Sequence, residues 1–435
     1  MRYPPRFSSR LSFFPATVLV AFAILSALAP GLALSQELPR AAPAETGFLP
    51  GRLERIGVLL DDYVADNRLP GAVVTVLRDG AVAYEHAAGY SDLEARRPMT
   101  RDAIFRIASQ TKPVVSVAVM MLHEEGALLL SDPIGKYLPA FARTQVAELL
   151  PGGFEVVPAE RAITIRDLLT HTSGIAYGSG PAGERWSEAG VTGWYFAHRS
   201  EPIRATVDRM GSLPFAAQPG TRFIHGYSTD ILGALVEELS GETLDDFLRS
   251  RIFEPLDMRD THFFLPLEKR GRLTTVYNEE IPGRLIRAAD GGGMTEQGQY
   301  VDGPRASFSG GAGLLSTARD YARFLQMMLN WGSLGDARIL SPSSVALMTA
   351  NHIGDMFPEP GMGFGFGFRI RLDLGEAGQP GSIGDYGWSG AYHTDFWVDP
   401  TERLVVVYLT QVIPASGLDE HQKLRAIVYG AMGGD

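Results

Sequence analysis

The sequence predicts a mixed α/β fold: an antiparallel sheet flanked by helices, built from both ends of the chain (residues 36–140 and 309–435) around an inserted, mostly helical domain over 141–308. Three observations predict it. Near the N-terminus, the apolar runs 72–77 and 81–86 flank Asp79-Gly80, a dipeptide suited to the positive φ angles of a tight hairpin. Near the C-terminus, residues 363–368 alternate glycine with phenylalanine at a period of two, and residues 394–398 connect to 404–410 through Pro400-Thr401-Glu402. Between these β-rich ends, apolar residues recur at helical spacing over 165–171, 230–240, 244–252 and 317–329. A helix over about 50–67, carrying Leu53, Ile56, Leu59, Leu60 and Val64, opens the fold, and one over about 419–430 closes it.

Ahead of this fold, Arg2, Arg6 and Arg10 precede an apolar stretch over 11–28, and no charge follows until Glu37. Small residues Ala33 and Ser35 offer a cleavage site, so residues 1–35 read as a secretory signal peptide and the protein as exported, periplasmic or secreted. Cleavage would take the formal net charge from −11 to −14 and leave no stable membrane association; retention of the stretch as an anchor is the alternative. An acidic chain without a Lys/Arg run argues against nucleic acid as a partner. There are no cysteines, hence no disulfides, no thiol chemistry and no Cys-based zinc site. The nine histidines show no ligand spacing, and no metal or cofactor is expected.

The candidate chemistry lies in Ser109-Gln110-Thr111-Lys112, at the junction of a strand-like run (103–108) and a helix-like run (114–125) that Gly126 caps. Three residues apart on a helix, a hydroxyl and an amine share one face, so the amine can take the proton of a serine nucleophile. The chain has four lysines against 35 arginines. Arginine cannot release its proton, whereas a buried lysine can, so a lysine here predicts acyl-transfer chemistry. Pro113 sits in the first turn, where its missing N–H costs little, and the helix start favours negative charge developing near Ser109.

Two further motifs follow in order: Gly226-Tyr227-Ser228-Thr229 before the helix at 230, and Trp388-Ser389-Gly390 before a strand expected near Tyr392. With the stretches at 168–174 (Leu-Leu-Thr-His-Thr-Ser-Gly) and 309–317, this set resembles the serine β-lactamase and penicillin-binding-protein superfamily, most nearly the family VIII carboxylesterases with a class C β-lactamase-like fold. The resemblance runs from about residue 50 to the C-terminus. It implies Ser109 as nucleophile, Lys112 with Tyr227 as the base system, the backbone N–H groups of Ser109 and Ala391 as the oxyanion hole, and a pocket of Gln110, Trp388, Ser389, Gly390 and His393.

Lactam-processing relatives usually carry Lys or His where this chain has Trp388, and the β-lactamases commonly carry Asn where it has Thr229. An aromatic wall favours neutral, apolar groups. The sequence therefore points to a serine carboxylesterase acting on small to medium esters through an acyl-enzyme, with a small-molecule ester as its partner. A β-lactamase or D-alanyl peptidase, a transacylase, and a catalytically silent binding protein of the same fold stay open as alternatives.

Overall fold

The two central strands, residues 71–78 and 404–410, are buried along almost their whole length, as a sheet covered on both faces requires, and alternate residues enter different cores. The computed structural model describes residues 37–415 and 417–433, so the predicted signal segment, residues 1–35, lies outside the described residues. Helix α1 (Glu54–Ala65) leads into the hairpin β1 (Gly71–Arg78) and β2 (Ala81–Asp92), whose turn places Asp79 at φ 53° and Gly80 at φ 79°. A short β3 (Arg97–Pro98) and helix α2 (Thr111–Glu124) follow. The middle of the chain carries hairpin β4 (Gln145–Leu150)/β5 (Gly153–Pro158), helices α3 (Ile165–Leu169) and α4 (Ser228–Ser240), and hairpin β6 (Tyr277–Ile281)/β7 (Arg284–Arg287). Helix α5 (Ala318–Leu329), strands β8 (Met362–Phe364), β9 (Arg369–Arg371), β10 (Tyr386–Gly390), β11 (Thr394–Asp399) and β12 (Leu404–Thr410), and helix α6 (Glu420–Gly430) complete it.

The main sheet runs β8-β9-β10-β11-β12-β1-β2-β3, with every pairing antiparallel. The two ends of the chain therefore meet at its centre, where Val73 opposes Leu409 and Thr75 opposes Val407. Val73 and Leu77 of β1, with Val405, Val407 and Leu409 of β12, enter a core shared with α2, α4 and α5. The alternate residues Val74, Val76, Leu404, Val406 and Tyr408 enter a second core covered by Ile56 and Leu60 of α1 and Leu424 and Val428 of α6. A one-residue slip would exchange the two sets, so each face fixes the register of the other.

The structure differs from the sequence reading in three places. The middle segment contains two hairpins besides its helices, and β4/β5 keeps most of its side chains outside, leaving no alternating apolar pattern to read. The alternating stretch at 363–368 is not one strand: Phe364, Phe366 and Phe368 are all buried, but pairing stops after Phe364 and Gly367 turns the chain at φ 86°. Trp388, Ser389 and Gly390 lie inside β10 rather than ahead of a strand, and Tyr392 falls in the following turn, where His393 takes φ 65°. From Glu37 onward the chain packs as one unit. Among the described residues no helix is long and apolar enough to cross a membrane.

Candidate active site

Ala108, Ser109 and Gln110 form a single 3-10 turn that feeds α2, and Ala108 is held at φ 42°, a strained conformation for a residue with a Cβ. The turn keeps the three-residue spacing, so Lys112, in the first turn of α2, points back at Ser109. Every residue of α2 from Thr111 to Leu122 is buried, which carries Lys112 into the interior with no exposed surface. Its Nζ donates to Ser109 Oγ at 3.0 Å, Tyr177 Oη at 3.0 Å and the Gly311 carbonyl at 2.7 Å. Three acceptors match the three hydrogens of an ammonium group. Burial lowers the Lys112 pKa from 10.5 to about 8, while the negative charge of Asp230 works in the opposite direction.

Asp230 connects α4 to this cluster. Its carboxylate accepts hydrogen bonds from Ser309 Oγ at 2.6 Å and the Gly311 N–H at 3.0 Å. A Cβ on Gly311 would come within 2.4 Å of Asp230 Oδ2, so only glycine lets the loop wrap the carboxylate and turn its carbonyl to Lys112. The glycine-rich stretch at 309–317 thus fixes the position of the amine.

Tyr227 is not at this cluster. Its hydroxyl donates to the Gly193 carbonyl at 2.5 Å, and its ring packs against Trp186, Phe196 and Tyr177. The phenol beside Lys112 is Tyr177, six residues after His171. Gly226 makes this packing possible, since a Cβ there would meet the Ile175 carbonyl at 2.1 Å. Burial raises the Tyr177 pKa well above 10, and hydrogen bonding to Ser109 offsets this only in part. The phenol therefore stays protonated and serves as a donor or relay, while the amine is the group whose proton affinity has been brought toward neutrality.

The third motif approaches from β10. A Cβ on Gly390 would lie 2.4 Å from the Ile107 carbonyl, so the end of β10 abuts the serine turn, with Ala391 exposed immediately beyond it. Ser389 is exposed, and Trp388 is half-buried among Phe364, Phe357 and His225. Gln110 is wholly buried, and neither polar atom of its side chain has a hydrogen-bond partner. His393 directs its Nε2 to the buried Glu420 at 2.7 Å and stacks on His421 with centroids 4.1 Å apart. Its left-handed backbone aims the ring at α6, away from the Trp388 wall with which the sequence grouped it. Among the described residues, His393, Glu420 and His421 are the group whose ligand atoms, all within 4.8 Å of one another, could hold a metal ion.

Two residues at the site escaped the sequence reading. Tyr177 follows the quoted stretch at 168–174, where Gly174 at φ 85° turns the chain toward Lys112. His225 lies two residues before Tyr227, with its ring against Tyr177 and Trp388. In both cases the nearby motif was visible but the side chain that its turn delivers was not.

The family description Beta-lactamase matches residues 58–428, and the chain belongs to that family. Esterase EstB of Burkholderia gladioli is 31% identical over 385 residues, covering 86% of this chain and 93% of its own. An uncharacterized protein of Mycobacterium tuberculosis is 34% identical over 371 residues, covering 81% of this chain and 88% of its own. The solved structure of EstCE1, described as a hydrolase with promiscuous acyltransferase activity, superposes with a TM-score of 0.76 at 29% identity, covering 87% of this chain and 99% of its own. Fold and relatives together define a serine hydrolase of the β-lactamase fold, related to esterases.

Proposed function

We propose that the protein is an exported carboxylesterase that cleaves small to medium esters through an acyl-enzyme on Ser109. The observation that carries this reading is the buried 3.0 Å contact between Lys112 Nζ and Ser109 Oγ, made by an amine whose pKa has been lowered to about 8. Neutral Lys112 accepts the serine proton as Oγ attacks the ester carbonyl, and the backbone N–H groups of Ser109 and Ala391 receive the developing oxyanion. Collapse of the tetrahedral intermediate expels the alcohol, which takes the proton from Lys112, with Tyr177 as relay. Water then releases the acid.

Trp388 supports esters over lactams, since it sets an aromatic surface where a carboxylate-bearing substrate needs a cation. The test compares a p-nitrophenyl butyrate assay with hydrolysis of a chromogenic cephalosporin, alongside fluorophosphonate labelling. Ester turnover should dominate, and Ser109→Ala should abolish both turnover and labelling. Preferential cephalosporin hydrolysis, or labelling that survives Ser109→Ala, refutes the proposal.

A further inference from the structure

We propose that His225 is the proton acceptor for the molecule that receives the acyl group, water or a small alcohol, in the second half of the reaction. This rests on the acyl-enzyme reading and extends it. His225 stands on the turn entering α4, and its ring meets three others edge-on: Tyr177 at 5.4 Å, His171 at 5.2 Å and Trp388 at 5.5 Å between centroids. It therefore lies between the phenol bonded to Lys112 and the aromatic wall on β10. Its Nε2 is buried and has no hydrogen-bond partner, and the same holds for Trp388 Nε1 beside it. Folded proteins seldom leave a buried polar atom unpaired unless it serves catalysis or meets a bound molecule.

The other candidates are already committed. Lys112 is fully buried, and its Nζ is held by Ser109, Tyr177 and Gly311, so its proton exchange serves the serine oxygen rather than a molecule arriving from solvent. Tyr177 keeps its proton. His225 and Trp388, in contrast, retain partial exposure, so an acceptor arriving from solvent meets these rings first. The titratable groups facing His225 are Lys112 of α2 and His171 and Tyr177 of the segment after α3, while Trp388 of β10 does not titrate. Burial, then the charge of Lys112, then His171 hold the imidazole pKa well below its usual value, so the ring is neutral at working pH.

With its proton on Nδ1, the neutral ring presents a lone pair at Nε2. The acceptor oxygen bonds to the carbonyl carbon of the Ser109 ester as its O–H bond breaks and the proton passes to Nε2. The tetrahedral oxyanion then collapses and the C–Oγ bond breaks. Tyr177 gives its hydroxyl proton to the departing Oγ and takes the proton held by His225, which restores both residues and Ser109.

The experiment uses His225→Gln with p-nitrophenyl butyrate, following turnover together with intact-protein mass after acid quench. Turnover should fall on the order of a hundredfold, the butyryl adduct should accumulate on Ser109, and fluorophosphonate labelling should continue at the native rate. Native turnover in the variant overturns the proposal. So does slower turnover without an adduct, since acylation would then be the damaged step. In His225→Ala, added imidazole should restore deacylation, and a folded variant that imidazole fails to rescue counts against the proposal. If the native protein is not labelled at Ser109, the acyl-enzyme reading itself falls.

Discussion

The pKa of Lys112 sets the pH dependence of acylation. With a value of about 8, roughly a tenth of the molecules carry the free amine at pH 7 and roughly a hundredth at pH 6. The acylation rate, read as the single-turnover release of p-nitrophenol, should climb about tenfold per pH unit below 7 and level off near pH 9. The sign for stability follows from the same shift. The folded pKa lies below the unfolded 10.5, so between about 8 and 10.5 the unfolded chain holds more protons and stability rises with pH; below that window the cost of burying the charged amine is felt in full. At about 1.4 kcal/mol per unit this cost is about 3 kcal/mol, an upper bound for what Lys112→Met regains at pH 7, because Met leaves Ser109, Tyr177 and Gly311 without their donor. Urea titrations of native and Met variants at pH 7 and pH 9.5 should show the gap between them closing as pH rises. An acylation profile that is flat from pH 6 to 9, or one with its midpoint near 6.5, refutes Lys112 as the base.

Lys112→Arg should be nearly as inactive toward p-nitrophenyl esters as Lys112→Ala, since a guanidinium keeps the charge but cannot take the serine proton; native-like rates would reduce the residue to an electrostatic fixture. Tyr227→Phe should leave kcat/KM within about threefold of native and cost about 1 kcal/mol in a denaturation assay, the loss of one hydrogen bond to Gly193. Tyr177→Phe should lower kcat at least tenfold with little loss of stability, and the reverse ranking of the two variants would return Tyr227 to the chemistry. Trp388→Lys should shift the ratio of kcat/KM values toward carboxylate-bearing substrates, with ester turnover losing about 1 to 3 kcal/mol of transition-state binding; an unchanged ratio would remove Trp388 from the pocket.

The architecture was legible where period and punctuation coincide. The hairpin around Asp79-Gly80, the paired strands near 394–410 and the helix after Ser109 each combine an apolar pattern with a turn residue. The pair Ser109 and Lys112 was legible because the chemistry needs only local spacing. Tyr227 was not, for a physical reason: which of two tyrosines 50 residues apart reaches an amine is decided by how two turns cross. Gly226 lets its turn approach the Ile175 carbonyl closely enough to hand the position to Tyr177. The direction of His393 likewise depends on a turn, being set by a left-handed φ and by a carboxylate 27 residues later. The hairpin at 145–158, with most of its side chains outside, carried no alternating apolar signal.

The placement of β12 between β11 and β1 has a consequence for how the protein is made. Partners on the two central strands, such as Ala72 and Thr410, are about 340 residues apart in the chain. During synthesis β1 is therefore produced early, with apolar side chains on both faces and one edge without its partner, and it waits for nearly the whole remaining chain. Backbone contacts of Leu49 with Ala431 and of Gly47 with Gly433 close this seam only at the end. A ribosome that stalls before residue 404 leaves β1, rich in valine, with one edge unpaired, a ready template for intermolecular pairing. Truncated products should aggregate rather than persist as partly active fragments, which makes the last thirty or so residues as necessary for solubility as any part of the catalytic centre.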